Sequence, residues 1–139
     1  MATRSNIGYI LPNGNVRSIY AHWDGYPAHN GRILFENYTA AYKIAQLIEM
    51  GDVSSLGAEI GRKHSFDARD GEENWTTFYG RDRGETGIEP VEVAVDDMRQ
   101  NDYAYLWNGT EWLVLGNGIP TWEPLADVLC AIEMEEEEA

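Results

Sequence analysis

Two glycine-tipped turns constrain the fold of this chain more than any other feature. Pro12-Asn13-Gly14-Asn15 stands between the strand-like runs 6–11 and 16–23, and Asn108-Gly109-Thr110 stands between 103–107 and 111–115. Asn-Gly favours tight hairpins because both residues tolerate the left-handed backbone such turns need. Each turn therefore commits its flanking runs to antiparallel pairing. Within 16–23, Val16, Ser18, Tyr20 and His22 fall on one face, and Arg17, Ile19, Ala21 and Trp23 on the other. Apolar groups on both faces predict a strand in the interior of its sheet.

Between the hairpins the periodicity changes. After a turn at Asp24-Gly25-Tyr26-Pro27, the stretch 30–50 places Ile33, Leu34, Tyr38, Ala41, Ile44, Ala45 and Ile48 at three- and four-residue spacing, which predicts an apolar helical stripe. Thr39 is placed to cap a second helix there, and Gly51 to stop it. Residues 53–57 read as a turn and 61–74 as an exposed loop. Runs 75–80 and 90–95 read as strands, and 96–101 as a short helix or turn. A last helix opens at Thr121 or Pro124 and runs to about Glu133, with Leu125, Val128, Leu129 and Ile132 on one face and Cys130 expected to be buried beside them. The predicted architecture is α+β: an antiparallel sheet of about five or six strands with two or three helices on one face. Residues 1–132 form one domain in this reading, and 133–139 an acidic tail expected to be disordered.

Charge is distributed unevenly. Residues 1–84 carry ten acidic and nine basic side chains, whereas 85–139 carry fourteen acidic side chains against Arg99 alone, giving the net charge of −14. An anionic surface repels phosphate backbones and acidic headgroups, which argues against direct binding to nucleic acid or membrane. A content of 43% hydrophobic and 12% aromatic residues fits a packed core rather than a disordered acidic chain. The single cysteine cannot close an internal disulfide, which fits a reducing compartment. No apolar run approaches the roughly 18 residues of a membrane span, and the N-terminus does not resemble a signal peptide.

Several unusual blocks occur in one order: Thr3-Arg4-Ser5-Asn6-Ile7-Gly8, Tyr20-Ala21-His22-Trp23-Asp24-Gly25-Tyr26-Pro27, Asn30-Gly31, Gly51-Asp52, Ser54-Ser55-Leu56-Gly57, His64-Ser65-Phe66 and Arg81-Asp82-Arg83-Gly84-Glu85. Together they resemble a group of small, uncharacterised proteins of tailed bacteriophages and mobile elements, over roughly residues 1–115. The resemblance implies a phage setting and a bacterial-cytoplasm location, and it carries no activity. Ala21 stands where many members carry cysteine, which argues against a thiol nucleophile at this point.

Among chemistry-bearing residues, His22, Asp24 and His64 make the best case for an enzyme or ligand site, as a general base or part of a metal site. Their spacing matches no standard metal-ligand pattern, so no metal or other cofactor is expected. The plainer reading makes His22 a hydrogen-bonded strand-end residue and Asp24 a turn cap. Arg81 and Arg83 could grip an anion, or form ion pairs on a solvated loop. Trp107 and Trp112 sit in the anionic third, which suits packing or a protein interface better than base stacking.

The leading expectation is a phage-encoded acidic binding protein that inhibits or redirects a host factor, in counter-defence or host takeover. Its anions would imitate the phosphates of DNA in front of a nucleic-acid-binding or defence protein. The expected contact residues are Glu92, Asp96, Asp97, Asp102, Trp107, Glu111 and Trp112, with Arg81 and Arg83. Two alternatives stand beside it: a small enzyme or ligand-binding protein built on His22, Asp24 and His64, and a minor virion component.

Overall fold

In the computed structural model, which describes residues 2–67 and 74–138, the first half of the chain runs β1 (Ser5–Ile10), β2 (Val16–Ala21), a π-helical turn (Pro27–Gly31), α1 (Arg32–Asn37), α2 (Ala41–Glu49) and β3 (Val53–Ser55). It continues with β4 (Thr77–Phe78), α3 (Tyr79–Arg83), β5 (Val91–Val93), a 3₁₀ turn (Val95–Asp97), β6 (Tyr103–Trp107), β7 (Trp112–Gly116), β8 (Ile119–Pro124) and α4 (Leu125–Glu138).

Both glycine-tipped turns close the hairpins their sequences predict. Ile10 pairs with Val16 across the first, where Leu11 N–H donates to Asn15 O at 2.8 Å and Gly14 takes φ +88°. At the second, the Asn108 side-chain oxygen accepts from the N–H groups of Thr110 and Glu111 at 2.9 and 2.8 Å. The two hairpins lie side by side. β1 pairs parallel with β6, and the sheet order is β4-β3-β2-β1-β6-β7-β8.

The fold is α+β with a single sheet, and its strands are mostly but not wholly antiparallel. Among the described residues eight strands replace the five or six expected, and the β1–β6 and β2–β3 pairings are parallel. Two short or unusual strands escaped the sequence pattern. β3, read as a turn, has only three residues and joins β2 through a single register pair, Ala21 with Val53. β8 carries Pro120 and Pro124, which a strand tolerates at the sheet edge where β8 lies. As expected, β2 is interior. One side meets β1, while the other is shared between β3 near Ala21 and β5 at Val16–Ser18.

One face of the sheet carries the core. Ile7, Ile19, Ala21, Tyr105, Trp112 and Val114 meet Leu34 and Tyr38 of the α1 region, Ile44, Leu47 and Ile48 of α2, and Leu125 and Leu129 of α4. Two large buried side chains bond their polar tips: Tyr38 OH donates to Gly57 O at 2.8 Å, and Trp112 Nε1 to Tyr38 O at 2.8 Å. α2 stops at Gly51 as predicted, at φ +88°. Its N-cap is Ala40 rather than Thr39, and no side chain caps it. Instead Lys43 Nζ donates to Asn37 O and Ala58 O at 2.9 and 2.8 Å, tying the start of α2 to the end of α1.

Two expectations about α4 are corrected. Cys130 is exposed, because it lies about 100° of helical rotation past Leu129 and off the buried stripe. The helix also continues to Glu138, so the glutamates assigned to a disordered tail form its last turns. Arg32 Nη1 holds Glu133 at 2.8 Å. Of the predicted loop 61–74, residues 68–73 lie outside the described residues.

Candidate functional site

Past the end of β2 the backbone keeps pairing beside β3: His22 N–H donates to Val53 O and Trp23 N–H to Ser54 O, both at 3.0 Å. The chain then turns sharply. Asp24 adopts φ +55°, and Gly25 N–H donates to Thr3 O at 2.8 Å. A Cβ on Gly25 would stand 2.8 Å from Ser5 Cβ, so only glycine fits there. From the far side, Tyr105 OH donates to Gly25 O at 2.6 Å and Asn30 Nδ2 to Trp23 O at 3.1 Å. The His-Trp-Asp-Gly-Tyr-Pro block is thus a turn fastened from three directions.

That fastening leaves the His22 and Trp23 rings on the wall of a cavity of about 480 Å³, completed by Ser54, Phe66, Asp67, Tyr79 and Arg83. His22 Nδ1 lies 2.6 Å from Tyr20 OH, two residues back along β2. Burial raises the Tyr20 phenol above its ordinary range. The His22 ring meets Trp23 edge-on at 4.8 Å. Arg83 stands over Phe66 at 4.7 Å and Tyr79 at 5.6 Å, and its Nε pairs with Glu85 at 2.7 Å. Aromatic walls with an imidazole and a guanidinium suit a planar or anionic ligand.

Of the predicted site residues, His22 and Arg83 meet in this cavity. His64, Asp24 and Arg81 do not line it. The His64 side chain is 6% exposed, its Nδ1 2.9 Å from Ser65 O and its Nε2 3.2 Å from Thr76 O. Asp24 is exposed and lines a smaller cavity of about 210 Å³ with His29 and Trp75. Arg81 is no free anion grip on a solvated loop. Its guanidinium donates to Ile60 O, Gly61 O and Thr76 O at 2.8, 3.1 and 2.8 Å and clasps Asp82 at 2.9 and 3.1 Å.

Asp82 is the hub that the alternating charges concealed. Burial alone would raise its pKa, but hydrogen bonds from Arg81 and from the N–H groups of Phe78 and His64 outweigh it and hold the carboxyl below its ordinary range. Among the described residues no three histidine, cysteine or carboxylate side chains converge as a metal site.

The acidic third divides in two. Glu92, Asp96, Asp97 and Glu111 are exposed. Asp102 is half-buried, its Oδ2 accepting from Arg4 N–H at 2.9 Å. Glu92 Oε2 accepts from the Asn13 and Asn15 amides at 3.2 and 3.1 Å, which lower its pKa. Trp107 and Trp112 are not exposed anchors. Trp112 belongs to the core, and Trp107, half-buried, packs against it edge-on at 5.6 Å.

Tyr20, Tyr79 and Asp82 were not among the predicted site residues. Only Tyr20 offered a usable signal, through its two-residue spacing from His22 on one strand face. Comparison with protein-family models, curated proteins and solved structures yields no match, so the reading of function rests on residues and geometry.

Proposed function

We propose that this is a phage-encoded acidic binding protein that acts on a host factor, docking its anionic third against a basic, nucleic-acid-binding surface. The supporting observation is that its anions are held on folded backbone. Glu92 sits in β5, paired to β2 and fixed by two asparagine amides, and Asp96 and Asp97 follow in a 3₁₀ turn. Pre-ordered charges lose little freedom on docking and speed encounter with a basic partner. Val91, exposed beside them, supplies an apolar contact. Anions spaced along a folded surface can imitate the charge of a phosphate backbone, one per ~1.7 Å of duplex axis.

The test is retention of tagged protein partners from a bacterial lysate at about 50 and about 300 mM salt, for the wild type and for a Glu92→Gln, Asp96→Asn, Asp97→Asn variant. One stoichiometric nucleic-acid-binding partner, lost at high salt and lost in the variant, is the expected result. A partner retained equally under all conditions refutes the reading.

A second reading rests on the cavity that joins His22 to Arg83: a ligand site for a planar anion. Titration with AMP followed by tryptophan fluorescence should saturate in the wild type and fail in Arg83→Ala. A flat titration removes it.

A further inference from the structure

β5 lies outside β2 and β6 lies beyond β1, so the chain joining them must cross β2 and β1 on the face away from the helices. That face carries Val16, Ser18, Tyr20, Asn6 and Leu106, opposite in register to the core residues. Where the crossing segment arches over it, a cavity of about 390 Å³ remains. Three carboxylates line it, Asp52, Glu89 and Asp97, together with Ser18 and the side chains of Val91 and Val93.

Two groups in this cavity lack the partners their chemistry calls for. Ser18 is 2% exposed and lines the wall, yet its hydroxyl makes no hydrogen bond among the described residues. Asp52 uses Oδ1 to accept from Tyr20 N–H at 3.0 Å, and no cation lies within ion-pair distance of it among the described residues. A half-buried carboxylate without a counter-charge is costly. Burial, and then the like charge of Glu89, raise the Asp52 pKa, the direction that an absent cation would give. Arg99, the one base of the acidic third, lines the same cavity without forming an ion pair among the described residues.

We propose that this cavity receives one alkylammonium group, the lysine side chain of a basic partner. The three ammonium donors would meet Asp52, the Ser18 hydroxyl and a carboxylate of the arch, and the alkyl stem would lie against Val91 and Val93. This occupant rests on the acidic-docking reading and gives it a central contact. Arg99 acts as a built-in competitor at the rim.

The test is titration of the full chain, followed by amide NMR shifts, with Nα-acetyl-lysine methylamide, with its uncharged norleucine counterpart and with spermidine. An oligolysine peptide serves as the model partner. The lysine amide should give saturable shifts centred on Ser18 and Tyr20 that norleucine does not. Asp52→Asn, which keeps the Tyr20 hydrogen bond through its amide oxygen, should weaken binding about tenfold, the usual scale for a lost charge-assisted contact. Arg99→Ala, an exposed change that leaves the fold intact, should strengthen it.

Equal shifts with norleucine, or no effect of either variant, overturn the proposal. Spermidine binding more tightly than the lysine amide overturns the lysine occupant in favour of a free polyamine. If Asp52→Asn binds oligolysine as tightly as wild type while the Glu92, Asp96, Asp97 variant loses it, the pocket is refuted and the surface reading stands. If the triple variant keeps oligolysine while lysine-amide binding is local and saturable, the surface reading fails and the pocket stands.

Discussion

Asp82 should be the most sensitive single position in the molecule. Its side chain is fully buried, and its two oxygens accept four hydrogen bonds: Phe78 N–H at 2.8 Å, His64 N–H at 3.1 Å, and Arg81 Nε and Nη2 at 2.9 and 3.1 Å. Asp82→Ala strands two backbone donors and takes the counter-charge from a guanidinium whose side chain is only 13% exposed, leaving it its three carbonyl acceptors. Removing one partner of such a pair costs about 3–5 kcal/mol. That is a large share of the roughly 5–15 kcal/mol that hold a domain together. Asp82→Asn keeps one acceptor but turns an NH₂ toward groups that also donate, so about 2 kcal/mol is expected.

Urea unfolding followed by tryptophan fluorescence measures both changes, with an unchanged slope confirming that the transition is the same one. The pH dependence supplies a second check. The folded-state pKa of Asp82 lies below its unfolded value, so its stabilisation is fully present above the unfolded carboxyl range, about 3.9, and is lost as pH falls through the folded value. The gap between wild type and Asp82→Asn should therefore narrow below about pH 3.9. An Asp82→Ala cost under about 1 kcal/mol, or a gap that does not move with pH, refutes the hub.

Asp52 should behave in the opposite sense. Its folded pKa is raised, so the folded state binds the proton more tightly and stability declines as pH rises through the folded value. Asp52→Asn should raise the melting temperature at neutral pH, and the gain should disappear below about pH 3.9, as two thermal scans would show. Cys130, exposed on α4, should be labelled by a maleimide in the native protein without unfolding, and mass spectrometry with and without urea checks it.

The legible parts of the fold were those written in neighbouring residues. Both hairpins, the stop at Gly51 and the apolar stripe of α2 depend on spacings of a few positions, which propensity and periodicity report. β3 depends instead on distant partners. Three residues long, it becomes a strand only because β2 offers an edge and Val53 meets Phe78 of β4. The Arg81-Asp82-Arg83 run misled for a related reason. Alternating charges look the same in sequence whether water or protein surrounds them, and here the carbonyls of Ile60, Gly61 and Thr76 took the place of water.

The His22 block shows how a structural demand can be separated from a functional one. Its turn accounts for Asp24, which tolerates the left-handed backbone, for Gly25, whose neighbours leave no room for a Cβ, and for Asn30, which ties off the Trp23 carbonyl. Each of these would be required if the protein bound nothing. The turn uses the backbone of His22, through its bond to Val53, and the Tyr20 phenol lies 2.6 Å from the imidazole Nδ1. Replacing Tyr20 by Phe should spare the turn while removing the hydroxyl beside His22 Nδ1. The wall of the cavity is therefore made in this block by His22 and Trp23, with Arg83 among the residues that complete it, and not by the aspartate that sequence proximity made the obvious partner.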